Sequence, residues 1–166
     1  MAPDYRRVLS EVQRVLKENN VLGPPVDPLE IAVAYGVSVE ERDFDEFSQE
    51  VAGFFDFNER AIYVNDADPY VRKTFTIAHE LGHFILHQHH FQENPDEYSV
   101  LLRRPMGAAI DPKEKEANAF AANLLVPRKF LDRYYRHADV DSLARLFMVS
   151  KDVIRNRLKL EYRLTA

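Results

Sequence analysis

Phe75-Thr76-Ile77-Ala78-His79-Glu80-Leu81-Gly82-His83 is the stretch on which the reading of this chain turns. On an α-helix, residues four apart share one face with a rise of about 6 Å, so His79 and His83 can aim both imidazoles at one ion. Zinc accepts that geometry. Glu80, next to the first histidine, can bring its carboxylate beside such an ion without binding it. There it can take a proton from attacking water and later pass it to a departing amine, while the metal polarises the scissile carbonyl. Three fixed positions in five arise by accident in roughly one chain in a hundred of this composition. Here they fall inside a helical stretch running from Pro69 to about Gln88, with an apolar side and Asp68 ahead of it as a cap.

Two histidines do not hold zinc firmly, and a catalytic site normally has three protein ligands and one open position. His87 continues the four-residue spacing but stands about 12 Å along the helix axis from His79, so it reads as a surface residue or as support for a ligand. His89 and His90 read as loop residues. The better source of a third ligand is Asp111-Pro112-Lys113-Glu114-Lys115-Glu116-Ala117-Asn118-Ala119-Phe120-Ala121-Ala122-Asn123-Leu124-Leu125, a second helix with two glutamates. With Asp111 as cap, Glu114 occupies the third helical position and is expected to bond back to the cap amide. Glu116 is followed by small residues at 117, 119 and 121 that allow close helix packing. The expected ligand set is therefore His79, His83 and Glu116, with Glu80 as the catalytic carboxylate. Gly82 costs about 1 kcal/mol in a helix relative to alanine, which points either to a close neighbour, such as the second helix or a substrate, or to mere tolerance in packing.

The rest of the chain supplies a frame for this site. Tyr5 to Asn19 has apolar residues at helical spacing and is closed by Gly23-Pro24-Pro25. Asp27-Pro28 starts a short helix ended by Gly36, and an extended run follows over residues 37–43. Val51 to Phe57 and Ala61 to Val64, separated by Asn58-Glu59-Arg60, read as a hairpin. With residues 37–43 it is expected to form a small antiparallel sheet. Residues 89–110 look irregular, apart from a possible strand at Tyr98-Ser99-Val100-Leu101-Leu102. Helices resume at Pro112 and, beyond Pro127, continue in three pieces. The fold class expected is α+β, with residues 1–137 as the metal-binding domain and 138–166 as a helical subdomain.

Composition narrows the function. The chain has 166 residues, 46% hydrophobic and 30% charged, enough for an ordinary folded domain. With no cysteine, a metal must be held by His, Asp or Glu. A net charge of −5 argues against a protein that coats nucleic acid. No signal peptide or membrane-spanning run is visible, so a cytoplasmic location with no membrane partner is expected. Ser142 to Ser150 followed by Lys151 to Leu158 has the outline of a helix-turn-helix, and this tail is locally basic. Packing, or docking of a protein partner, is favoured there over direct DNA contact. The hairpin could offer an edge for substrate pairing, with the edge strand left open. Tyr134, Tyr135, His137, Arg72 and Arg104 all remain open as donors to a tetrahedral intermediate.

The block ending at His83 and Leu86-His87, together with Glu116-Ala117-Asn118-Ala119-Phe120-Ala121-Ala122-Asn123-Leu124-Leu125-Val126-Pro127, resembles the ImmA/IrrE-type metallopeptidases. Weaker likeness extends from about residue 26 through the helical tail. The resemblance implies a compact zincin core in which Zn2+ is bound by His79, His83 and Glu116 and Glu80 is catalytic. It also implies a protein substrate, namely a helix-turn-helix repressor cleaved at a single site. A competing reading keeps the metal site structural and makes the chain a module that binds DNA or a repressor.

Overall fold

A computed structural model of the chain describes residues 1–45, 51–102 and 110–164. Its elements, in order, are α1 (Tyr5–Glu18), α2 (Pro28–Ala34), β1 (Ser38–Arg42), β2 (Gly53–Asp56), β3 (Ala61–Asn65), α3 (Tyr70–Glu93), α4 (Pro95–Leu102), α5 (Pro112–Leu125), α6 (Arg128–Tyr134), α7 (Val140–Phe147) and α8 (Lys151–Tyr162). The class is α+β, as expected, with the motif helix α3 at the centre.

Helix starts follow simple capping chemistry. Asp4, Asp27, Asp111 and Asp139 each accept a backbone N–H from the first turn that follows, and Ser150 does the same for α8. Asp68 does not. The cap position of α3 is Pro69 itself, and the Asp68 carboxylate instead faces Arg72 at 3.6 Å. The expected capping box at α5 is also absent, because the Glu114 side chain is bonded to His83, as described below.

The sheet has the order β1-β3-β2. β2 and β3 form the expected antiparallel hairpin, with Phe55 opposite Ile62. Asp56 helps to turn it by accepting from Asn58 N–H and Glu59 N–H. β1 departs from expectation by pairing parallel to β3, with Val39 opposite Ile62, so the sheet is mixed. β1 is separated from β2 by a connection longer than a tight turn, and it joins the far side of β3. β3 is buried along its whole length, as a central strand covered on both faces must be. Gly53 lets β2 approach α3, since a Cβ there would lie 2.5 Å from Thr76 Cγ2 and 2.6 Å from Tyr63 O.

Residues 89–102 also differ from expectation. α3 continues through His89 and His90 to Glu93, and Tyr98–Leu102 belongs to a helix rather than a strand. Pro95 opens α4 with Asp96 and Glu97 in its first turn, where negative side chains favour a helix start. The apolar run from Val100 to Leu102 is too short for periodicity to separate strand from helix.

One apolar core extends through these elements. It includes Val8, Val12 and Val15 of α1, Phe55 and Ile62 of the sheet, Leu81 and Phe84 of α3, and Phe120 and Leu124 of α5. It continues into Leu143, Phe147, Ile154 and Leu158 of the last two helices. Arg157, almost wholly buried, ties α8 to this body by donating from Nε to Val126 O and pairing with Glu161 at 2.8 Å. Lys151 is paired with Asp141 and Arg155 with Asp152, so several cations of the basic tail are engaged within the chain.

α3 and α5 pack tightly at Gly82. A Cβ on Gly82 would lie 3.0 to 3.2 Å from three atoms of the Phe120 side chain, and Phe120 is fully buried. Of the readings left open at Gly82, the structure has the second helix as its close neighbour. Gly82→Ala should destabilise the chain by about 1 kcal/mol despite alanine's helix preference of about 1 kcal/mol, because overpacking a core costs about 1–3 kcal/mol. Urea unfolding checks this, and a gain in stability would show that Phe120 yields freely.

Candidate metal centre

The four-residue spacing on α3 directs His79 and His83 toward the start of α5. His83 Nε2 lies 2.6 Å from Glu114 Oε1, and His79 Nε2 lies 3.4 Å from Glu114 Oε2. Among the described residues, these three side chains offer ligand atoms within 4.8 Å of one another. His83 is fully buried, while His79 and Glu114 are partly open.

The donors are oriented as well as gathered. His79 Nδ1 lies 2.9 Å from Asn118 Oδ1, an arrangement in which the ring donates from Nδ1 and turns Nε2 toward Glu114. His83 Nδ1 meets His87 Nδ1 at 2.9 Å, so its Nε2 likewise faces Glu114. Two imidazole nitrogens and a carboxylate, with both rings held from behind, fit the donor set of a catalytic zinc site.

Glu116, the glutamate expected as third ligand, is elsewhere. Its Oε2 lies 2.8 Å from His87 Nε2, and its Oε1 accepts the Asp4 N–H at 3.0 Å. Residues two apart on a helix diverge by about 200°, so only one of the two glutamates can face His79 and His83 directly. Glu114, in the first turn of α5, is the one that does. His87 is buried and bonded on both ring nitrogens, which makes it a support for the cluster rather than a surface residue.

Glu80 is buried beside the cluster, and Tyr98 Oη donates to its Oε2 at 2.8 Å. The same hydroxyl accepts the Phe55 N–H of β2 at 2.6 Å. Tyr98 therefore links the outer edge of the hairpin to the carboxylate. Its ring is held edge-on against Phe57, with centroids 5.2 Å apart. The role of Tyr98 could not be read from a sequence segment that looked like a strand. Of the donors left open, Tyr135 is stacked on Tyr162 and Arg72 is engaged with Asp68, while Arg104 lies outside the described residues.

The charges follow from burial and contact. Burial pushes the Glu80 carboxyl up to about 7. Burial also lowers His83, to about 4, in spite of its bond to Glu114. Glu114 goes the other way: burial would raise it, but hydrogen bonds from His79 and His83 together with their charges hold it well below the usual carboxylate range. His79 is raised, since burial would lower it but its bond to Glu114 and the charge of Glu80 outweigh that, so the cluster keeps an anionic Glu114 between a neutral His83 and a more basic His79.

The sequence pattern described as the IrrE N-terminal-like domain, Peptidase_M78, matches residues 32–159. The chain belongs to this family. The match spans the sheet, the motif helix, α5 and most of the helical tail. Among curated proteins, this IrrE-like chain is similar to "Uncharacterized immunity region protein 2" of Bacillus phage phi105, at 27% identity over 132 residues, covering 78% of this chain and 75% of the relative. Among solved structures it shares its fold with a Mycobacterium tuberculosis transcriptional regulator, with a TM-score of 0.65 and 21% identity over 93% of this chain. The chain spans 46% of the length of that regulator.

Tyr98→Phe removes the hydroxyl that serves both Glu80 and the Phe55 amide. Leaving buried polar groups unsatisfied costs about 1–3 kcal/mol, so urea unfolding of the variant should show a lower midpoint and a loss of stability of that size. An unchanged midpoint would show that neither bond contributes.

Proposed function

We propose that this IrrE-family chain is a zinc-dependent endopeptidase that hydrolyses a peptide bond in a regulatory protein. The observation that carries this reading is the meeting of His79 Nε2, His83 Nε2 and the Glu114 carboxylate beside a buried Glu80. A purely structural metal site has no use for a second, unligated carboxylate held in place by a tyrosine. Bound zinc would supply a Lewis acid that polarises the scissile carbonyl and acidifies water at neutral pH.

In this reading the protein's own groups divide the work. His79, His83 and Glu114 hold the ion. Glu80 accepts a proton from the attacking water and gives it to the leaving amine, and a carboxyl that titrates near neutrality suits both transfers. Tyr98 holds Glu80 by one oxygen, leaving the other oxygen for the reacting groups. β2 is the hairpin strand at the sheet edge, so a substrate pairing there would take the Phe55 N–H now used by Tyr98.

The relatives of this chain point to the substrate class. Its phage relative is named for an immunity region, and its structural neighbour is named a transcriptional regulator. A helix-turn-helix repressor, cleaved in the cytoplasm to relieve silencing, fits both. The helical tail is better suited to docking such a protein than to gripping DNA, because Arg157 is buried and Lys151 and Arg155 are already paired with acids. Among the described residues, no helix is long and apolar enough to cross a membrane.

The test uses a helix-turn-helix repressor encoded beside the chain's own gene. Zinc-loaded protein should cut it at one site, and a chelator should stop the reaction. Glu80→Gln should cut at least about 100-fold more slowly, the scale of general acid–base catalysis, while retaining its zinc. Equal rates for the Gln variant and the parent would refute the mechanism.

A further inference from the structure

We infer that His87 and Glu116 form a positioning relay for His83, a role that rests on the zinc reading above and deepens it. Four groups lie in sequence across the α3/α5 contact. His83 Nδ1 is 2.9 Å from His87 Nδ1, His87 Nε2 is 2.8 Å from Glu116 Oε2, and the Asp4 N–H reaches Glu116 Oε1 at 3.0 Å. The two rings are buried and the Glu116 side chain nearly so.

Donor and acceptor roles along this line become single-valued once His83 Nε2 serves a metal. A neutral ligand ring then carries its proton on Nδ1, which donates to His87 Nδ1. His87 in turn carries its proton on Nε2 and donates to the anionic Glu116 carboxylate. Asp4 N–H supplies the last bond, from the chain just ahead of α1. Every polar atom in the line has a partner of the right kind, and the tautomer of His83 is set from three residues away. His79 receives the equivalent service in one step from Asn118.

The arrangement explains two features of the sequence at once. A histidine four residues beyond the motif is too far along the helix to share the ion with His79, yet it lies in ring contact with His83, with centroids 5.1 Å apart. The second glutamate of α5 is turned away from His79 and His83, yet it is bonded at both oxygens. α1 also reaches the cluster by a second route, since Arg7 donates to Leu86 O at 2.7 Å. The N-terminal helix, outside the family match, therefore closes the back of the metal centre.

The test measures zinc affinity of the whole chain by competition with a fluorescent chelator. Partners of this kind typically contribute 10- to 100-fold in metal affinity. His87→Leu and Glu116→Ala should each bind zinc 10- to 100-fold more weakly, with circular dichroism unchanged. His87→Asn can still offer an oxygen near the former Nδ1 and should recover a large part of the loss. In the zinc-loaded parent, nitrogen-15 NMR should show a slowly exchanging Nδ1–H on His83 that is lost in His87→Leu. Should His87→Leu fail to fold, Glu116→Ala and His87→Asn still decide the matter. Parent-like zinc affinity in the Leu and Ala variants overturns the relay alone, as does an Asn variant no better than Leu. A parent chain that takes up no zinc overturns the metal reading and the relay with it.

Discussion

The contact of α5 with α3 is the constraint from which the site follows. Neither helix brings three candidate ligands together by itself. Gly82 allows Phe120 to lie against the backbone of α3, and the buried Ala117 and Ala121 keep the facing surface of α5 thin. At that separation a glutamate in the first turn of α5 reaches both imidazoles, and Asn118, one turn on, reaches the outer nitrogen of His79. The apolar packing is therefore what sets the positions of the polar atoms. Burial then lowers His83 and raises Glu80, while hydrogen bonds from the two histidines keep Glu114 ionised.

Around this pair the remaining elements act from opposite sides. The hairpin and α4 approach from the Glu80 side, where Tyr98 joins the Phe55 amide to the carboxylate. α1 approaches from the His87 side, through Asp4 and Arg7. α8 is fastened beyond the far end of α5 by Arg157 on Val126 O. The chain thus reads as a scaffold that holds one cluster from front and back, and the family to which it belongs is one of peptidases.

Much of this was legible in the sequence, for physical reasons that can be named. His79, Glu80 and His83 depend only on helical spacing, which is local and nearly invariant. Asp27-Pro28 and Asp111-Pro112 announced their helices through capping, and two short apolar segments on either side of Asn58-Glu59-Arg60 announced the hairpin. The choice between Glu114 and Glu116 was not legible. It depends on how α5 is rotated about its axis, a tertiary quantity, and the capping-box argument that set Glu114 aside gave way to a stronger, charge-assisted contact with His83. The parallel pairing of β1 was hidden for a similar reason, because strand direction across a long connection is not encoded in short-range pattern. Tyr98 was hidden by a short apolar run that reads equally well as strand or helix.

The most direct measurement is diffraction from crystals of the zinc-loaded chain on both sides of the zinc absorption edge. The account predicts one strong anomalous peak bounded by His79 Nε2, His83 Nε2 and the Glu114 carboxylate, with Glu116 still on His87 and Glu80 unligated. A peak bound by Glu116 in place of Glu114, or no peak between the two histidines, would contradict it.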